Sequence, residues 1–234
     1  LAITDINTMH GVIEFYKTCQ KKGIHPVIGL TLTYHSKEKQ NELFQLILLA
    51  KNNQGYQNLI TISTLRMESD EREHFYLETI QAFLEGLIII LPWQTENNEL
   101  RTLFESDMNS YQATVDQKRQ LFQSNDIYQG VIGSAVLKDK ERGYLEATVR
   151  NQFPLVALQD VRYLHPSDHF TVEVLKHIDS GEQLHVDFEH ITGPYYLPSK
   201  EIFMTTFDEK GLAEAIQNNY KIISNCQVEI ELHQ

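Results

Sequence analysis

The sequence predicts an α/β fold, and three observations carry that prediction. Short apolar runs alternate with amphipathic stretches along the whole chain. Hydrophobic residues make up 41% of 234 residues, enough for a real core in one large domain, or in one domain with an attached piece. The longest apolar run, Gly86-Leu-Ile-Ile-Ile-Leu91, is far too short to span a membrane. Strands alternating with helices at this spacing predict a largely parallel sheet with crossover helices, in a barrel or a doubly wound form.

The elements follow in order. The chain opens in an apolar run that ends at Thr4-Asp5, the pattern of a strand delivering a carboxylate to the rim of an α/β sheet. Residues 11–22 place Val12, Phe15, Tyr16 and Cys19 at helical spacing, and Gly23 predicts the C-terminal cap. Residues 26–34 are apolar and β-branched and predict a strand, as do residues 43–50. Asn53 predicts the cap of a helix running through residues 57–63. The acidic run 68–73 predicts a solvated turn or helix start. Residues 77–84 read as helix and 86–91 as a buried strand, with two helices near 99–105 and 110–123.

The second half repeats the rhythm. Residues 127–132 predict a strand, 138–151 a charged amphipathic helix, and 153–158 a strand ending at Gln159-Asp160. Ser167 predicts the cap of a helix through Val174 and Ile178. Beyond Gly181 the pattern loosens until a last helix, about 209–224, and a short strand, 228–232. The first residue is Leu rather than Met and lies inside a strand-like run, so the chain reads as a fragment whose first strand lies upstream. Cys19 and Cys226 lie far apart outside any motif and fit a reducing, cytoplasmic setting without a disulfide.

Charge and motifs exclude several functions. Lys and Arg number 20 against 32 Asp and Glu, a net charge of −12, which disfavours a free-standing nucleic-acid binder. The best basic cluster, Lys17, Lys21 and Lys22 beside His25, reads as a solvated helix face. No Gly-rich phosphate loop, G-x-S-x-G, C-x-x-C or H-E-x-x-H is present. Among ten histidines the densest group is His165-Pro-Ser-Asp168-His169, which Pro166 splays across a helix start. His185 and His190 carry no ligand spacing.

Four stretches carry a family resemblance in their order. They are "LAITDINTMHGVIEFYKTCQKKGIHPVIG", "LILLAKNNQGYQNLITIS", "EGLIIIL" and "FPLVALQDVRYLHPSDHFTVEVLKHI". Together they resemble the PHP (polymerase and histidinol phosphatase) domain of bacterial DNA polymerase III alpha subunits, over nearly the whole chain. The resemblance implies a distorted (β/α)7 TIM-like barrel over residues 1–205, its first strand upstream. Residues 206–234 would then form a helix and strand leading toward the polymerase core.

Active members of that family hold a cluster of divalent metals at the strand ends. At the corresponding places this chain has Ile6 after Asp5 for a His, Thr31 for a Glu, Gln45 for a His, Trp93 for a Cys and Arg162 for a His. Asp160 is kept. The resemblance therefore implies a degenerate site with no metal and no catalytic residue. Trp93 is expected to fill the space, and Arg162 to pair with Asp160 or Asp5 in a buried bridge that replaces the metal. An acid–base pair of Asp5 and Asp160 would lack a metal or a His beside it.

Three functions follow as expectations. The first is a non-catalytic PHP domain that scaffolds the polymerase core of the same chain, with a proofreading exonuclease subunit and other replisome proteins as candidate partners. DNA contact and Mg would belong to the full-length polymerase alone. The second is a metal-dependent phosphoesterase or 3′–5′ exonuclease. The third is an unrelated α/β binding module.

Overall fold

The protein is described from a computed structural model covering residues 1–39, 42–69, 74–123, 127–135, 137–181 and 194–231. β1 (Ala2–Ile3), β2 (Val27–His35), β3 (Leu43–Ala50), β4 (Leu87–Leu91), β5 (Ile127–Ile132) and β6 (Leu155–Leu158) form one sheet in chain order, curled into half a barrel. β1 runs parallel to β2, β4 to β5 and β5 to β6, whereas β3 is antiparallel to both of its neighbours. The expected largely parallel sheet is therefore mixed. The 36–42 connection is too short for a crossover, so β2 and β3 must form a hairpin.

Alternation along the strands divides the apolar side chains into two layers. Ile28, Leu30, Leu32 and Tyr34 of β2 face the helices, with Phe44, Leu46 and Leu48 of β3 beside them. Against them pack Val12 and Tyr16 of α1 (Val12–Lys22), Leu59 and Ile62 of α2 (Asn53–Glu68), Leu100 of α3 (Glu99–Ser106), Val115 of α4 (Met108–Phe122) and Tyr144 of α5 (Asp139–Arg150). α6 (His169–Ser180) and α7 (Lys200–Glu209) follow β6. The inner face is a smaller apolar layer of Val27, Leu49, Ile88, Ile90 and Val156, closed by Ile222 of α8 (Ala213–Asn225) and by Cys226.

α8 also covers the free edge of β6. Asn219 pairs its side-chain amide with both the N–H (2.9 Å) and the carbonyl (2.8 Å) of Ala157, and Asn218 donates to the Leu155 carbonyl at 2.7 Å. The boundary expected at 205/206 falls inside α7, and α8 packs in both layers of this core. Both cysteines are buried and free, and burial pushes the Cys226 thiol up to about 11. Among the described residues, no helix is long and apolar enough to cross a membrane.

Several boundaries differ from the sequence reading. α2 is capped by Asn52, not Asn53. The Asn52 Oδ1 accepts the Gly55 N–H at 2.9 Å, while the Asn53 Oδ1 accepts the Glu229 N–H. Residues 77–83 form a tighter 3₁₀ helix, Leu77–Phe83. The last helix, expected at about 209–224, is α8 and starts only after Gly211, whose φ of 70° lies in the left-handed region; α7 before it was not expected. Ser167 lies within a 3₁₀ turn, Pro166–Asp168, and caps nothing; the Asp168 carboxylate instead accepts the His165 N–H. No strand forms over the described part of 228–232; the chain there is tied to the sheet by Gln227 N–H to the Lys51 carbonyl. Residues 70–73 of the acidic run, and His185 and His190, lie outside the described residues.

The stretch Lys51-Asn-Asn-Gln-Gly55 is a backbone junction. A Cβ placed on Gly55 would lie 2.1 Å from the Gly86 carbonyl oxygen and 2.8 Å from its carbon, both main-chain atoms that cannot rotate away. The Asn58 amide adds a bond to the Glu85 carbonyl at 2.8 Å. Gly55→Ala is therefore expected to destabilise the protein by about 1–3 kcal/mol, as overpacking does. Urea unfolding checks this, and a variant as stable as the parent would mean the junction yields freely.

Candidate functional site

Strand directions place the C-terminal ends of β1, β2, β4, β5 and β6, and the start of β3, on one rim. Ligands in α/β folds bind at this rim. Register then assigns each expected site position to a face. Ile6 bridges Thr31, Thr31 pairs with Ile47, Ile47 with Ile90, and Ile90 with Tyr128. Paired residues share a face, so one row of the inner face reads Ile6, Thr31, Ile47, Ile90, Tyr128. Gln45 lies one row nearer the rim, opposite Thr33. Three of the seven expected positions, Ile6, Thr31 and Gln45, are thus brought together.

The other four are not. Asp5 alternates with Ile6 and lies on the helix face, where a Cβ built on Gly11 would meet Asp5 Oδ2 and Ile3 Cδ1, each at 3.1 Å. Trp93 is buried as expected, but in the helix-facing layer with Leu91 and Leu100 rather than the inner one. The Arg101 guanidinium lies 4.2 Å above its ring and donates to its carbonyl at 2.7 Å. Trp93 thus packs under α3 and does not fill the space between Ile6 and Gln45.

Arg162 does pair with Asp160, through Nη2 at 2.9 Å and Nε at 3.2 Å, both onto the same oxygen. The pair is not the buried bridge that was expected. Its side chains are 48% and 34% exposed, and Arg162 also lies over the Tyr195 ring at 4.5 Å. The segment after β6 leaves the sheet to meet residues 194–197, which pulls both side chains outward. With Asp160 held by Arg162 and Asp5 on the helix face, no acid–base pair is assembled from them. Beside them a cavity of about 240 Å³ opens between the ends of β5 and β6 and α7. Gly133, Gln159, Tyr196, Phe203 and Phe207 are among its lining residues, none of which is charged.

The polar atoms at the rim serve the edge of β2. Val27 N–H donates to the Leu1 carbonyl, Thr31 N–H to the Asp5 carbonyl, and Asn7 N–H to the Thr31 carbonyl. There the backbone pairing ends and side chains continue it. Asn7 Oδ1 accepts the Thr33 N–H at 2.9 Å, and its Nδ2 donates to Thr33 Oγ1 at 2.9 Å. Arg66 Nε donates to the Thr33 carbonyl and hydroxyl, each at 3.1 Å. Asn7 has a φ of 57°, a left-handed conformation that asparagine tolerates better than most residues, and Ser63 holds its carbonyl at 2.9 Å. Sequence reasoning missed Asn7 and Arg66. A turn-forming Asn after a short strand is a weak cue, and the reach of Arg66 from the last turn of α2 leaves none.

Among the described residues, no three His, Cys, Asp or Glu side chains come together in a way that could hold a metal ion. His169 stands 4.0 Å from Glu173, one helical turn on, and Lys17, Lys21 and Lys22 are all exposed on α1.

A model of the PHP domain matches residues 1–131, more than half of the chain. The chain belongs to the PHP domain family. It is also similar to DNA polymerase III subunit alpha of Bacillus subtilis (strain 168), 31% identical over 239 residues, spanning all of this chain and 21% of that protein. The same subunit of Halalkalibacterium halodurans is 27% identical over 237 residues, and that of Helicobacter pylori (strain 26695) 23% over 256, each covering 99% of this chain. The PHP chain spans about a fifth of the length of these relatives. The stretch "LLAKNNQGYQNL", part of the resemblance, is the junction around Asn52 and Gly55.

Replacing a group whose buried partner is then left unpaired costs about 1–3 kcal/mol, whereas exposed ion pairs contribute about 0–1. Asn7→Ala and Arg66→Ala should each fall in the first range and Arg162→Ala in the second. Denaturant unfolding of the three variants checks the order. An Arg162→Ala loss as large as that of Arg66→Ala would put the rim's main tie at β6 instead of β2.

Proposed function

We propose that this chain is the PHP portion of a replicative DNA polymerase III alpha subunit, and that it works as a scaffold without chemistry of its own. One observation carries the proposal. A chain that matches those subunits over its whole length has Ile6, Thr31, Ile47 and Ile90 across the inner face, where a metal-dependent PHP hydrolase needs ligands. Ile6, Thr31, Ile47 and Ile90 offer no imidazole, thiolate or carboxylate, so these residues do not fit a cluster of divalent ions. Ile6, Thr31, Gln45 and Trp93 are then emptied ligand positions. Asp5, Asp160 and Arg162 remain as structural groups around them.

In this reading the half-barrel is completed to seven strands by chain preceding residue 1, and residues 206–234 lead toward the polymerase core. The protein acts in the cytoplasm as part of the larger polymerase. Its partners are the polymerase core of the same protein and, as candidates, a proofreading exonuclease subunit and other replisome proteins. Mg and DNA are handled by the core. The net charge of −12 supports this division, because phosphate binding is driven by cations that this chain does not concentrate.

A metal-dependent phosphoesterase or exonuclease is the competing function, and metal chemistry separates the two. The scaffold reading predicts less than one equivalent of zinc or manganese per chain by elemental analysis. It also predicts a melting temperature unchanged by a chelator, and no manganese-stimulated hydrolysis of phosphomonoesters or of 3′ DNA ends. Duplex DNA should bind no more tightly than about 10⁻⁴–10⁻⁶ M, the non-specific range. Stoichiometric metal together with hydrolysis would establish the phosphoesterase instead.

A further inference from the structure

The β2 edge ends in a contact that the scaffold role does not use. His35, the last residue of β2, donates its N–H to the Phe75 carbonyl at 2.7 Å. Phe75 returns a bond from its own N–H to Nδ1 of the His35 ring at 3.1 Å. The imidazole thus takes the place of a neighbouring strand's carbonyl, which it can do only while Nδ1 carries no proton. Phe75 is buried at this contact, with the Arg66 guanidinium 5.6 Å from its ring centroid. Arg66 is the same side chain that holds Thr33, so the contact is continuous with the rest of the edge.

We propose that His35 is a proton-operated clasp. In its neutral form it holds residues 74–76 against the end of β2, and in its protonated form it releases them. Protonation would set one N–H against another and add a positive charge near the Arg66 guanidinium. The His74 ring stands edge-on at 4.6 Å, with Tyr76 beyond it, and Arg66 lies on the far side of Phe75. Toward α3 and α4, His35 shares a small cavity with Lys37, Glu38, Glu78, Glu99 and Lys118. There Lys37 pairs with Glu78 and Lys118 with Glu99, so those charges largely cancel. Glu38 is exposed at the cavity mouth, and Asp70, Glu71 and Glu73 lie outside the described residues.

Burial, then His74 and Arg66, hold the His35 imidazole below its ordinary value of 6.5, with the Phe75 backbone acting in the opposite sense. The sign follows from linkage. A histidine with a depressed folded value is neutral in the fold, so its contribution to stability is fully present above 6.5. That contribution is lost as the pH falls through the lower folded value. The clasp is closed at neutral pH and opens on acidification, uncovering Phe75 and loosening Arg66.

Nitrogen-15 NMR of the full chain tests this directly. At neutral pH the His35 ring should carry its proton on Nε2, and its titration midpoint should lie below 6.5. Phe75 amide exchange, corrected for intrinsic rate, should accelerate at least tenfold as His35 protonates. His35→Asn, whose side-chain oxygen accepts but does not titrate, should keep Phe75 protected across the range, and His35→Ala should leave it unprotected throughout. A proton on Nδ1 at neutral pH would overturn the proposal. So would Phe75 protection that survives His35 titration, or that follows His74 and persists in His74→Asn. The wild-type titration decides the matter even if neither His35 variant folds.

Discussion

The far edge of β2 is the constraint around which this PHP domain is arranged. β2 is nine residues long, but β1 pairs with it over only two. An unpaired strand edge presents donors and acceptors that must be satisfied or left to water. Here a sequence of different partners does so: backbone from Leu1 to Asn7, then the Asn7 amide, then Arg66, and finally Phe75 with His35. The partners come from three parts of the chain, so the edge ties the opening segment, α2 and the residues before the 3₁₀ helix into one rim. In this chain hydrogen bonds make the connection.

Two buried polar clusters set the helices against that sheet. Glu99 accepts from Lys118 at 2.6 Å and from the Tyr34 hydroxyl at 3.0 Å, joining α3, α4 and the end of β2. Burial alone would raise the Glu99 carboxyl, but Lys118 and the hydroxyls around it hold it below its ordinary value. The second cluster joins Asn98, Gln129 and Tyr144. Tyr144 donates to Gln129 Oε1 at 2.7 Å, and Asn98 donates to the Pro92 carbonyl at 2.7 Å. Groups of this kind stabilise only when every member is satisfied. Both lie in the helix-facing layer, on the opposite side of the sheet from the row of Ile6, Thr31, Ile47 and Ile90.

The stretch "LLAKNNQGYQNL" has a structural task of its own: Gly55 meets the backbone of Gly86 at a distance no side chain allows, and Asn52 caps α2. Ile6 and Thr31 share a row with Ile47 and Ile90, and the Thr31 hydroxyl donates to the Thr4 carbonyl at 2.8 Å.

Sequence alone determined the order of the strands and of the helices up to α6, because apolar periodicity reports burial directly. Residues 43–50 and 127–132 were legible as strands and 12–22 as a helix for that reason, and the residue type at each expected site position could be read without coordinates. Tertiary structure decided which face each of those residues takes. Ile6 and Asp5 are neighbours in sequence yet lie on opposite sides of the sheet, since successive strand residues alternate. Trp93 turned to the helices because Arg101 and the α3 packing receive it there, and Arg162 went outward because its segment leaves β6 to meet Tyr195. Asn7 and Arg66 acquired their roles only when the chain brought α2 against the end of β2. A hydrogen bond across 26 or 33 residues depends on where two segments meet in space, and local pattern carries no record of that.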